Sequence, residues 1–262
     1  MAKNVRRRRT WISAGFFLDL SKFYFRSLIK QTGTIKLYSM AAPKYSSSRE
    51  NYLKAIFHLQ ETHGTVTTND VAAEMETRPA SVTDMLKKLK AQKLLLYERY
   101  KGFKLSNEGR KVALQIVRKH RLWEFFLVEK LHFGWDEVHE IAEELEHISS
   151  KKLIDRLDEF LGFPKTDPHG DPIPDSQGRW TLTRQVDLLN LPINKVAEVS
   201  GIGDQSAEIL ELLKHKHIAL GTRLEVKKRF AFDNSLELKI KNQSPVTISE
   251  HVAKNVFVKY DE

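Results

Sequence analysis

From Ser48 onward, apolar residues recur at helical spacing. In the segment RENYLKAIFHLQE, residues Tyr52, Leu53, Ile56, Phe57 and Leu59 form one stripe, behind a Ser cap and ahead of Gly64. A short second helix, NDVAAEME, turns Val71, Ala72 and Met75 inward and is capped at Thr68-Asn69. A turn at Glu76-Thr77-Arg78 leads to Pro79, a helix-starting residue, and to a third helix, PASVTDMLKKLKAQK. Two short helices joined by a tight turn make a helix-turn-helix pattern. Residues 94–99 then read as a strand, 100–102 as a turn and 103–105 as the return strand, which together form a wing. Ser106 starts a long helix that runs to His120.

Helical spacing continues from Val117 to Ser150, with Leu122, Phe125, Phe126 and Val128 on one apolar side. Val138, Ile141, Ala142, Leu145 and Ile148 mark another. A further amphipathic helix spans Ser150–Leu161 and stops at Gly162 and Pro164. The Pro-, Gly- and Asp-rich stretch that follows reads as a loop and a boundary. Beyond Leu182 the period changes: KVAEVS, GTRLEVKKRF, SLELKIK, VTIS and NVFVKY read as five short strands, interrupted by one helix, AEILELLKHK. The expected fold is therefore mainly α with small β parts: a winged helix-turn-helix at 45–112, a helical domain at 113–178 and an SH3-like β-barrel at 182–262.

The first 44 residues stand apart, because RRRRTWISAGFFLDLSKFYFRSLIK has no core-facing period. This basic extension reads as a nucleic-acid-binding arm, as a targeting peptide, or as an upstream extension with Met40 the true start, and the last is favoured. The chain has no Cys, which fits a reducing, cytoplasmic setting, and no apolar run long enough to span a bilayer. Its net charge of +9 is unevenly spread. Residues 1–40 carry nine Lys/Arg and one acid, and residues 41–120 carry fifteen basic and eight acidic side chains. Residues 121–160 carry five basic and eleven acidic ones. A basic module ahead of an acidic one suits a polyanion on one side and a cation on the other.

Candidate chemistry sits in both modules. In the helix-turn-helix, the front of the third helix presents Arg78, Ala80, Ser81, Thr83 and Asp84 toward base edges in the major groove. Lys87, Lys88, Arg99 and Lys101 are placed to meet phosphates. Asp84 either accepts from a cytosine amine or orients a neighbouring Lys. In the acidic module His120 and Glu124 share a helix face, and His139, Glu143, Glu146 and His147 share another. Carboxylates beside a core stripe repel one another unless a cation neutralises them, which points to a metal. With oxygen and imidazole donors and no thiolate, the metal expected is manganese or ferrous iron, with zinc and cobalt able to substitute in vitro. His169 and Asp171 in the Pro-Gly loop could be ligands, but they read first as turn residues. His139-Glu140 begins like an H-E-x-x-H zinc-protease helix, but Glu143 stands where the second His belongs. A G-x-S-x-G elbow, a Walker loop and a Cys nucleophile are all missing, so no enzyme is expected.

Residues 48–177 resemble the diphtheria toxin repressor family of metal-dependent transcriptional regulators, especially its manganese-responsive branch. The motifs that carry the likeness are SVTDMLKKL, RKHRLWE, VHEIAEELEH and PHGDPIP. The tail from 182 is similar to the family's SH3-like (FeoA-type) domain. The resemblance implies a homodimer that binds a double-stranded DNA operator when loaded with metal and represses metal-uptake genes. It implies an ancillary metal site at His120, Glu124 and His139, and a primary one at Glu143, Glu146 and His147. Glu143 stands where iron-responsive relatives have Cys, so it points to manganese. Asn51 and Lys54 stand where the manganese regulators have an Asp and a Glu; Asn51 could still give an amide oxygen, whereas Lys54 is expected near the carboxylates. The tail domain of longer relatives lends ligands, for which Asp204, Gln205 and Glu208 are the candidates here. The alternative is a metal-independent winged-helix regulator whose barrel senses a small molecule or protein.

Overall fold

The computed structural model describes residues 45–98, 102–180 and 185–260. The first module is built on α1 (Ser47–His63), α2 (Thr68–Glu74) and α3 (Pro79–Ala91). Gly64 at φ 78° ends α1, as its place in the sequence suggests. The cap of α2 lies one residue earlier than expected. Thr67, not Thr68-Asn69, accepts from the Asp70 amide, while Asp70 accepts from the Thr67 amide at 2.7 Å. This reciprocal pair satisfies two helix-end donors at once. Strands β1 (Leu95–Glu98) and β2 (Gly102–Leu105) pair antiparallel, and Phe103 also bonds the backbone of Val66. Leu53, Ile56, Phe57, Val82, Leu86 and Leu89 fill the core beneath them.

Helix α4 (Asn107–Leu131) is a single 25-residue element and does not end at His120. It starts at Ser106, whose hydroxyl accepts from the Gly109 amide, and ends at His132 in the left-handed conformation. It also runs through the expected boundary at 112/113. Ala113, Leu114, Ile116 and Val117 pack in the first core, and Leu122, Trp123 and Leu127 in a second. One rigid rod thus joins the two modules. The second core is completed by α5 (Val138–Leu145) and α6 (Lys151–Phe160). Because α5 stops at Leu145, Glu146 and His147 lie in the turn that follows it, which bends the expected four-residue face.

The last module is a six-stranded antiparallel sheet in the order β3 (Val186–Asp187), β8 (Val256–Lys259), β4 (Val196–Ile202), β5 (Arg223–Arg229), β6 (Leu236–Ile240), β7 (Val246–Ile248). Bulges at Val199/Gly201 and Val226/Lys228 increase its twist and help it curl in the SH3-like manner. Helix α7 (Ala207–His215) fills one side of its core with Ile209, Leu210 and Leu213. The strand at Val186–Asp187 and the short helix α8 (Glu250–Lys254) are elements that the pattern did not announce. At two and five residues, neither is long enough to repeat its pattern twice.

The loop from Phe163 to Ile173 ties the last two modules together. The Ile202 amide donates to the His169 carbonyl at 2.9 Å. Gly170, at φ 92°, lies so close to the β4 backbone that a Cβ there would fall 2.2 Å from the Ser200 carbonyl oxygen. A similar constraint holds α4 against the wing, since a Cβ on Gly109 would meet the Leu94 carbonyl oxygen at 2.1 Å. Gly109→Ala is therefore expected to destabilise the chain by about 1–3 kcal/mol, as overpacking does. Urea unfolding should show a lower midpoint with an unchanged slope.

Candidate metal centre and nucleic-acid interface

Helix α3 buries Val82, Leu86 and Leu89, and its other side is free. Arg78, Ala80, Ser81, Thr83, Asp84, Lys87 and Lys88 are all exposed on that side. Lys87 reaches Asp84 at 3.4 Å, so Asp84 lies where it orients a lysine on the helix surface. Thr83 donates to the Pro79 carbonyl at 2.9 Å. Arg99 and Lys101 lie outside the described residues. The arrangement is a polar helix face with lysines toward its C-terminal half, which has the form of a groove-entering helix.

The metal-type side chains meet around a cavity of about 390 Å³ between α1, α4, α5 and the Phe163–Ile173 loop, with Gln205 at its edge. Three of the expected ligands converge. His120 Nε2 lies 3.0 Å from Glu124 Oε1 and 3.2 Å from His139 Nδ1, and His139 Nδ1 lies 3.3 Å from the same Glu124 oxygen. The other three are arranged differently. Glu146 Oε2 bonds His120 Nδ1 at 2.7 Å and Lys54 Nζ at 2.8 Å. Glu143 bonds Lys54 at 3.0 Å and lies 3.6 Å from His139. His147 turns to Glu50, its Nδ1 at 2.8 Å from Oε2. Lys54 thus sits at the carboxylates, as its position in α1 implied.

A second convergence draws on the Pro-Gly loop. Glu124, Asp167 and His169 place one ligand atom each within 4.8 Å of one another, and all three are buried. The sequence offers His169 as a ligand only after a turn role, and it does not single out Asp167. His169 Nε2–H donates to the Trp135 carbonyl at 2.8 Å, which leaves Nδ1 as the other ring nitrogen, and it makes no hydrogen bond and lies 3.9 Å from Glu124 Oε2. Asp167 Oδ2 likewise accepts no hydrogen bond and has only Arg121 Nε at 3.5 Å. Buried polar atoms are rarely left unpaired, so these orphan atoms fit a group that would coordinate them. A divalent cation suits this all-oxygen and imidazole donor set. The signal in the sequence was the Asp-x-His spacing in the loop, hidden because loop ligands have no helical period.

Among the further candidates, Asn51 lines the cavity with a buried, unpaired Oδ1. Asp204 instead accepts from the Ser206 amide beside α7, and Glu208 is exposed on α7. Neither lines the cavity, because the start of α7 holds them at the surface. The tail reaches it through Gln205, which donates to Asp171 at 3.1 Å.

Electrostatics follow from this packing. Burial disfavours protonated His120, but the charge of Glu124 beside it and hydrogen bonds donated to Glu124 and Glu146 outweigh that, raising its pKa to about 9. Burial also opposes ionisation of Glu124, yet His120 holds its carboxyl well below the usual range. Asp167 goes the other way: burial, then the charges of Glu124 and Asp171, push it well above the ordinary value. A metal must therefore displace protons to bind. In the metal-free chain the His120 pKa lies above its unfolded value, so the ion pair stabilises fully below pH 6.5 and is lost as pH rises through about 9. NMR titration of His120 in metal-free protein should give a midpoint near pH 9, with Tm falling over the same window. A midpoint near 6.5 would contradict the assigned ion pair.

Comparisons with known proteins agree in kind with this geometry. Residues 44–103 match the iron dependent repressor N-terminal DNA binding domain. Residues 106–175 match the iron dependent repressor metal binding and dimerisation domain, and residues 186–260 the FeoA domain. The HTH-type transcriptional regulator MntR of Oceanobacillus iheyensis is 33% identical over 120 residues, which cover 46% of this chain and 81% of that protein. The iron-dependent repressor IdeR of Mycobacterium leprae is 34% identical over 125 residues, covering 48% of this chain and 54% of that one. A solved manganese-dependent transcriptional repressor in complex with manganese aligns with a TM-score of 0.74 at 33% identity, over 81% of this chain and 99% of that one. Among the described residues no helix is long and apolar enough to cross a membrane. With its winged helix, buried ligand clusters and SH3-like tail, the chain belongs to the iron-dependent repressor family of metal-dependent, DNA-binding transcriptional regulators, and is not an enzyme.

Proposed function

We propose that the chain is a manganese-responsive repressor of metal-uptake genes, with ferrous iron the alternative effector. The observation that carries this reading is the pair of clusters sharing the buried Glu124, built from carboxylates and imidazoles without a thiolate. His120, Glu124 and His139 hold the ion on the α5 side, and Asp167 and His169 on the loop side. A bound divalent ion supplies the positive charge that lets Glu124 and Asp167 ionise together. The chain does the rest: His169 is anchored through Trp135, Asp171 through Arg121 at 3.0 Å, and the loop through β4.

Binding only to the ordered arrangement, the ion favours that state in proportion to its differential affinity. Helix α4 carries this order into the core that supports α3. In a homodimer the two α3 helices must match half-sites about 34–36 Å apart, so order in the metal module governs DNA affinity. Bases are read from the Arg78–Asp84 front of α3, and phosphates are met by Lys87 and Lys88, with Arg99 and Lys101 in the wing. The dimer face is the apolar surface left open on the helical module: Leu131, Phe133, Leu153, Phe160 and Phe163 are exposed there. All five fall in the segment matched to the dimerisation domain.

Fluorescence anisotropy on promoter fragments upstream of metal-transporter genes tests the reading, at fixed salt because phosphate contacts are screened. Binding should be absent with chelator and appear as manganese is added, with iron and zinc ranked separately. Equal binding with chelator would favour the metal-independent regulator. His120→Ala and His169→Ala should each raise the manganese needed by about a hundredfold or more, beyond the 10–100-fold typical of outer-shell losses. Phe160→Asp should shift the chain from dimer to monomer in sedimentation velocity and weaken operator binding without changing metal uptake.

A further inference from the structure

Lys54 sits between two carboxylates that spacing alone would assign to a metal. Its ammonium lies 3.0 Å from Glu143 Oε1 and 2.8 Å from Glu146 Oε2, and its side chain is only 12% exposed. A metal binding both carboxylates would need oxygens at about 2.0–2.2 Å and would have to occupy the same ground as the ammonium. Two cations a few ångströms apart in a partly buried pocket repel strongly. The third expected donor is also committed elsewhere. His147 Nδ1 faces Glu50, and its Nε2 lies 3.9 Å from Glu146 Oε1. The set Glu143, Glu146 and His147 therefore does not fit a metal ion in this chain.

The same geometry gives Glu146 another use. Its Oε2 accepts from His120 Nδ1 at 2.7 Å while also accepting from Lys54. With Nδ1 engaged, the nitrogen that faces Glu124 and His139 is Nε2. A carboxylate on the far nitrogen is the usual way in which a ligating imidazole is oriented and its tautomer set. We infer that Lys54 is a built-in cation that takes the place of a metal at Glu143 and Glu146, and that through Glu146 it positions His120 for the adjacent metal site. It rests on the reading of the Glu124 clusters as that site. The chain then senses metal at the Glu124 clusters alone, and the contact between α1 and α5 is made permanently by an ion pair.

The test counts manganese bound per full-length chain by equilibrium dialysis with elemental analysis, and measures affinity by chelator competition. Glu143→Gln should leave the count unchanged, because Glu143 is not a ligand. Glu146→Gln should keep the count but weaken binding about tenfold or more, as loss of an orienting carboxylate does. Lys54→Glu should gain one equivalent over wild type, and Lys54→Arg should keep the wild-type count. Loss of an equivalent in Glu143→Gln, or no gain in a folded Lys54→Glu, overturns the inference. Should Lys54→Glu fail to fold, the Glu143→Gln count decides. A wild-type chain that takes up no manganese overturns the functional reading instead, while the Lys54→Glu gain still decides this one.

Discussion

A carboxylate with 1% of its side chain exposed, Glu124, is the constraint around which the middle of this protein is built. An isolated buried carboxylate is costly, and the structure surrounds this one with nitrogen: His120 at 3.0 Å, His139 at 3.3 Å and His169 at 3.9 Å. Each partner arrives from a different element, namely α4 itself, α5 and the Phe163–Ile173 loop. The loop in turn packs on β4. Neutralising one charge thereby fixes the relation of three segments to a single helix.

On the proposed reading, that helix is also the route to DNA. The first half of α4 is part of the winged-helix core, and its second half is part of the ligand-bearing core. A 25-residue helix without a break transmits a change of packing at Glu124 more directly than a hinge would. Around these side chains, the chain supplies some of the cations itself. Arg121 holds Asp167 and Asp171, and Lys54 holds Glu143 and Glu146. Asp167 Oδ2 and His169 Nδ1, close to Glu124, are among the buried polar atoms of the described residues that lack a hydrogen bond, as are Asn51 Oδ1 and Glu146 Oε1 nearby.

Much of this was legible in the order of residues, for reasons that differ by element. The helix-turn-helix was readable because Gly64 and Pro79 punctuate clean apolar stripes, and α6 because Ser150 and Gly162 bound it. The length of α4 was underestimated because its apolar face rotates from one core to another near His120. The His120–Glu124 pair was readable from i, i+4 spacing, whereas His139 joined it only through the family resemblance, since spacing grouped it with Glu143, Glu146 and His147. The fate of Glu146 and His147 was not, because α5 ends one residue before them and the face they were assigned to no longer exists. Asp167 and His169 could not be found by periodicity at all. Their approach to Glu124 is set by Gly170 meeting the β4 backbone, a contact between segments some thirty residues apart. Asp204 and Glu208 failed as candidates for the converse reason, since the start of α7 commits them to its surface.

The central claim is that a divalent ion is held at Glu124. Anomalous diffraction at the manganese edge, from crystals of the full chain grown with manganese, tests it most directly. The account predicts a peak within coordination distance of Glu124 and of His120 or His169, with Lys54 still paired to Glu143 and Glu146. A peak centred between Glu143 and Glu146 with Lys54 displaced, or no peak near Glu124, would contradict it.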